Sequence, residues 1–165
     1  MRPEHAGRGL LSTGTARPTR EEPPTFSAAT LRAAAAVRAG LITDTDDGPR
    51  LVGGRCVACG RHHFPRTETC PYCSADGAVP VEMSPTGHLW AWTAVTSAPP
   101  GYGGEVPYGF GVVELPEGLR VVTRLTEADP SRLRAGQATR LVLVPVGDDG
   151  EGRPVVSYAF SPDEP

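Results

Sequence analysis

The chain of 165 residues contains no lysine and no asparagine, and all 16 of its basic side chains are arginine. The bias runs through the whole chain and reads as codon composition. A basic excess is also missing. The formal charge is -3 and the pI about 5.8, whereas a nucleic-acid binder usually shows a basic patch or a high pI. No apolar run approaches the ~20 residues of a membrane span, which excludes a helical membrane protein. The first twenty-five residues carry no apolar core of a secretory signal, and the reading is cytoplasmic. Glycine and proline, by contrast, are plentiful, at 20 and 18 residues. That much backbone punctuation excludes a helical bundle or coiled coil and favours short strands and loops.

Four zones follow. Residues 1–25 are rich in Arg, Gly, Pro and Thr and poor in apolar side chains, so they read as a disordered tail. Residues 26–50 read as a helix and a hairpin. The helix runs from Phe26 to Gly40, with Ser27 or Thr30 as cap, Leu31, Ala34, Ala35 and Arg38 on one face, and Gly40 as stop. It packs either on its own domain or on another subunit. Leu41 to Arg55 form the hairpin around Asp46, Asp47 and Gly48. Residues 51–83 form a metal-binding ribbon and residues 84–165 a β domain.

The four cysteines make two Cys-x-x-Cys pairs, Cys56 with Cys59 and Cys70 with Cys73, ten residues apart. Two intervening residues let both sulfurs of a pair turn toward one ion, and two such knuckles complete a tetrahedral thiolate site. Gly60 follows the first pair where positive φ is favoured, and Pro71 stiffens the second. Arg55 and Arg61 can offset the negative charge. Two disulfides are the alternative, disfavoured in a reducing compartment. The reading is a structural zinc ion, with iron also compatible. Four thiolates leave no position for water or substrate, so no catalysis is assigned to the metal. His62 and His63, between the knuckles, read as surface or loop histidines rather than ligands or a base, and Phe64 and Pro65 as a cover over the site.

Beyond Val79 the chain alternates as strands do. His88 to Ser97 is the first strand, with Leu89, Ala91, Thr93 and Val95 facing one way and Trp90, Trp92, Ala94 and Thr96 the other. Tyr108 to Leu115 and Leu119 to Thr126 form a hairpin. A helical turn from Asp129 to Arg134 ends near Gly136, and Thr139 to Val146 and Pro154 to Ser161 complete five strands. Five strands with a helical turn between the third and fourth fit a small Greek-key barrel of OB type. The Trp90 and Trp92 side chains read as core or interface.

The loop from Ala98 to Pro107 joins the first two barrel strands, where OB barrels often bind ligands. It is either a flexible surface loop or a lip that meets a ligand or partner through Tyr102. Tyr108, Phe110, Arg120 and Arg124 complete the candidate contact set. Arg120, Arg124 and Arg140 could meet a nucleotide headgroup or be an ordinary solvated face. No Ser-His-Asp order, phosphate loop or paired acids with a readable role is present, so no catalytic residue is assigned.

Several of these stretches resemble one family when taken in order. Gly54-Arg55-Cys56-Val57-Ala58-Cys59-Gly60-Arg61-His62-His63-Phe64-Pro65 resembles its first knuckle and Cys70-Pro71-Tyr72-Cys73 its second. Gly87 to Thr93 resembles its first barrel strand, and Val106-Pro107-Tyr108, leading to Glu114 and Leu115, its second. Leu133 to Gly136 resembles the turn before the fourth. The chain is similar over about residues 40–162 to the zinc-ribbon/OB-fold accessory proteins, long catalogued as a domain of unknown function. The helix departs from the family pattern in being Ala-rich and separated from the first cysteine by Thr43 to Pro49. The resemblance implies a mainly β protein with an N-terminal helix, a rubredoxin-like zinc ribbon and a five-stranded OB barrel. It further implies a non-catalytic accessory subunit of a thiolase, acyltransferase or steroid side-chain aldolase, with acyl-CoA at the shared interface. The alternative is a single-stranded nucleic-acid binder using Arg120, Val122 and Arg124 on one strand.

Overall fold

The computed structural model describes residues 34–102 and 104–163. Among them there is no α-helix, and the only helical element is a single 3-10 turn. The expected tail lies outside the described residues, as does the helix from Phe26 as far as residue 33. The rest of that helix is not formed. Ala35–Ala36 is instead a short strand, β1, and Gly40 stands at φ +74°. β1 runs parallel to Val155 and Val156, and the Val37 N–H donates to the Val156 carbonyl at 2.9 Å. Alanine propensity is a few tenths of a kcal/mol per residue, and here the hydrogen bonds of an open strand edge prevail over it.

The ribbon is built from β2 (Ile42–Thr45), β3 (Gly48–Arg55), β4 (His62–His63) and β5 (Val79–Glu82). β2 and β3 form the expected hairpin, turning at Asp46 and Asp47, and the far half of β3 pairs with both β4 and β5.

The second unit is a closed five-stranded barrel of β6 (Thr86–Val95), β7 (Tyr108–Glu114), β8 (Arg120–Leu125), β9 (Ala138–Asp148) and β10 (Pro154–Pro162). Around the wall the order is β6-β7-β8-β10-β9 and back to β6, with β8 and β10 parallel and the other neighbours antiparallel. The 3-10 turn at Pro130–Arg132 lies between the third and fourth barrel strands. Asp129 caps it, accepting from the Ser131 N–H and hydroxyl at 2.9 and 2.7 Å.

Alternation sends Val121, Thr123 and Leu125 of β8 inward and Arg120 and Val122 outward. Val121 and Leu125 meet Leu89, Val113, Leu115, Leu141 and Phe160 in one core that also contains Leu51 of β3 and Met83. Ribbon and barrel therefore share their apolar interior. Gly109 and Gly111 occupy inward positions of β7 because other backbone lies there: a Cβ on Gly111 would sit 2.7 Å from the Ala91 carbonyl oxygen, and one on Gly109 would collide with that of Glu127.

One expectation about β6 is overturned. The register against β7 slips between Leu89 and Ala91, leaving Trp90 as the extra residue of a β-bulge. Side-chain sense flips across a bulge. Trp92 packs against the core, while Trp90 is 51% exposed on the outer wall. The two indoles do not share a face.

Candidate functional site

The two knuckles fold as near copies. In the first, the Cys59 N–H donates to Cys56 Sγ at 3.5 Å, Gly60 N–H to the Cys56 carbonyl at 2.9 Å, and Cys56 N–H to the Arg61 carbonyl at 3.0 Å. In the second, the Tyr72 N–H donates to Cys70 Sγ at 3.4 Å, Ser74 N–H to the Cys70 carbonyl at 3.0 Å, and Cys70 N–H to the Ala75 carbonyl at 2.9 Å. Gly60, at φ +72°, takes the left-handed position, and Ser74 adopts the same conformation at φ 59° without the benefit of lacking a Cβ. Arg61 of one knuckle places its guanidinium 5.1 Å from the ring centroid of Tyr72 on the other, tying the two together.

All four sulfurs lie within 4.8 Å of one another. Cys56 Sγ is 3.6 Å from Cys73 Sγ, and Cys59 Sγ is 3.7 Å from Cys70 Sγ. A disulfide needs a separation of about 2.05 Å, and all four cysteines are free. A metal–sulfur bond of about 2.3 Å gives a tetrahedron an edge of about 3.8 Å, so the observed spacing suits one ion among four thiolates. Electrostatics point the same way. The Cys59 N–H, ahead of the Ala58 N–H and neighbouring thiols, lowers the Cys56 thiol to about 6 despite desolvation. At Cys73 the Ala75 N–H favours the thiolate, but the Cys59 and Cys56 thiols and burial outweigh it and push the group up to about 12. Sulfurs this close do not all ionise without a cation among them.

Neither flanking histidine joins the cluster. His63 is buried in the ribbon sheet rather than on the surface or a loop. Its Nε2 accepts from the Thr67 N–H at 3.4 Å and lies where a Cβ on Gly54 would be, which explains a glycine there. Phe64 does not simply cover the knuckles. It packs on the shared core and on Tyr158 of β10.

The contact candidates divide into two groups on the outer wall of β6, β7 and β8. Tyr102 and Tyr108 have ring centroids 5.2 Å apart, and the Arg124 guanidinium lies 4.7 Å from Tyr108 and 5.9 Å from Tyr102. Phe110, 37% exposed, is the direct cross-strand neighbour of Arg124. Arg120 stands apart from this cluster, 4.1 Å over the ring of Trp90 and 3.7 Å from the Glu114 carboxylate. Trp90, read in the sequence as core or interface, is the outward member of this group, and what the alternating residues do not mark is the bulge that sends Trp92 to the opposite face. Arg140 belongs to neither group. It lines a cavity of about 210 Å³ with His88 and Asp163 at the β6–β9 seam.

Comparison with known proteins agrees with this architecture. Residues 48–79 match the family model described as the ChsH2 rubredoxin-like zinc ribbon domain, and residues 80–144 that of the ChsH2 C-terminal OB-fold domain. The benzoylsuccinyl-CoA thiolase subunit BbsA of Thauera aromatica is 34% identical, over 68% of this chain and 76% of its own length. A DUF35 domain-containing scaffold protein of Pyrococcus furiosus is 31% identical, over 68% of this chain and 83% of its own length. A solved chain described as Ltp2-ChsH2(DUF35) aldolase superposes with a TM-score of 0.54 at 29% identity, over 68% of this chain and 84% of that one. The protein belongs to the DUF35 family of zinc-ribbon/OB-fold proteins. Among its relatives are proteins named as a thiolase subunit and as scaffold proteins.

Proposed function

We propose that this protein is a non-catalytic accessory subunit that binds a thiolase-superfamily partner (a thiolase, acyltransferase or aldolase) and helps assemble its acyl-CoA site. The single observation that carries this reading is the extent of the likeness to the BbsA thiolase subunit, which spans 76% of that subunit at 34% identity. The aldolase named with the ChsH2 DUF35 chain widens the partner class beyond thiolases. The proposed place of action is the cytoplasm, in acyl-CoA chemistry of lipid or steroid type. Among the described residues no helix is long and apolar enough to cross a membrane.

The proposed metal is one zinc ion held by Cys56, Cys59, Cys70 and Cys73, with a structural role. Iron would suit the same donors, and elemental analysis distinguishes them. When bound, the ion supplies a closed four-coordinate cross-link between the knuckles and offers no site for a reacting molecule. The residues do the rest. Buried Cys56 and Cys70 anchor the knuckles to the ribbon sheet, exposed Cys59 and Cys73 close the outer side, and Leu51 and Met83 fix the ribbon to the barrel.

The test is purification of the tagged chain from its own host. A thiolase-superfamily protein should co-purify in fixed ratio, and the pair should turn over an acyl-CoA substrate that neither chain turns over alone. Thioester turnover by this chain in isolation, or a monomer that ignores every such protein of its host, would overturn the reading.

A further inference from the structure

We infer that the outer wall of β6, β7 and β8 is the surface that docks the partner, with Trp90 as its anchor. This deepens the reading above and rests on it. Large apolar side chains gather there on three adjacent strands. Trp90 is 51% exposed, Phe110 37% and Val122 55%. Val112 lies between them, paired with Ala91 on one side and Val122 on the other. The alternation of Gly87, His88 and Leu89 already directs Trp90 outward, and the bulge that follows Leu89 turns Trp92 into the core, so that Trp90 is left as the one indole on the outer wall. Exposed apolar residues are unremarkable singly, but a contiguous patch marks an interaction surface.

The chemistry of the wall selects its occupant. Trp, Tyr and Arg dominate the energetics of protein interfaces, and here each arginine is pre-positioned on aromatic rings, Arg120 on Trp90 and Arg124 on Tyr108 and Tyr102. Among the described residues, Arg120 is the one of the two that pairs with a carboxylate, that of Glu114. In a chain of net charge -3, this wall presents an apolar stripe flanked by two guanidiniums. The complementary surface is an apolar protein face bordered by carboxylates. A single-stranded nucleic acid is the poorer match, because base stacking needs open ring faces and Arg120 already covers one face of Trp90.

The experiment uses the full chain and the thiolase-superfamily protein recovered with it from its host, with binding measured between the purified pair. Trp90→Ala and, separately, Val122→Glu should each weaken binding at least about tenfold, and Arg124→Glu should weaken it most at low salt. Val146→Glu, at the exposed end of β9, should leave it unchanged. Metal content and melting temperature should match wild type in all four variants. If the wild type binds such a partner and the wall variants bind equally well, the inference fails and the accessory-subunit reading stands. If the wild type binds none, both fail. Loss of self-association, or of salt-dependent oligonucleotide binding, in place of partner binding would also overturn the inference.

Discussion

The ring of Phe64 meets the ring of Tyr158 edge-on, with centroids 5.4 Å apart and planes at 85°. Phe64 follows β4 of the ribbon and Tyr158 lies in β10 of the barrel, so this pair and the shared Leu51–Met83 core hold the two units together. Edge-to-face aromatic pairs add about 1 kcal/mol beyond the area they bury. Phe64→Ala should cost about 2 kcal/mol in all, less than a fully buried Phe because the ring is only partly covered. Chemical denaturation of metal-loaded protein measures it. A loss below a few tenths of a kcal/mol would show that Leu51 and Met83 suffice.

Burial also pushes the Tyr158 phenol above its ordinary value. The hydroxyl donates to the Val122 carbonyl at 3.3 Å, and the folded state favours the protonated form. A raised value means that this contribution is intact below the unfolded value of about 10 and declines as pH rises through the folded one. The stability of wild type should therefore fall more steeply above pH 10 than that of Tyr158→Phe, measured as denaturation midpoints against pH.

Removal of the metal should act locally first. Thiolate ligands exchange protons for the ion, so retention should weaken as pH falls. Strong chelation, or Cys70→Ser, should abolish stoichiometric zinc and strip amide protection from Cys56 to Gly60 and Cys70 to Ser74, while β6 to β10 stay protected. Metal binding in small zinc peptides is worth on the order of 10 kcal/mol, far more than this apolar-poor segment gains by burial. Unchanged knuckle protection without metal would contradict the account.

Gly87 offers a packing test away from any site. A Cβ there would lie 2.6 Å from the Glu114 carbonyl oxygen, 2.7 Å from Val113 Cγ1 and 2.9 Å from Leu115 Cδ2. The first of these is backbone and cannot turn aside. Gly87→Ala should destabilise the barrel by about 2 kcal/mol, seen in thermal or chemical melts. Gly147→Ala, which meets nothing within 4 Å but stands at φ +145°, would carry backbone strain instead of a clash.

The knuckles were readable because their geometry is local. Two residues between cysteines, with Gly60 marking the left-handed position after the first pair, determine where the sulfurs point over a few bonds. The barrel strands were readable to within a couple of residues from period-two alternation, since Val121, Thr123 and Leu125 are buried and their outward neighbours are not. The helix expected through Gly40 was misread at Ala35 and Ala36. Helix propensity is a local preference, and the edge of β10 that claims these residues lies far away in sequence. His63 was misread as exposed for a similar reason, because the cleft that buries it exists only once β3 and β4 pair.

Composition and spacing by themselves determined that this is a strand-rich protein with four sulfurs gathered for a metal, because those features depend on near neighbours along the chain. Tertiary structure alone decided that the ribbon and barrel share one core, that β1 closes on β10, and that Trp92 turns inward while Trp90 stays outside with Arg120 laid across it. Each of these depends on registers between strands distant in sequence, and a one-residue slip in register reverses which side of a strand meets water.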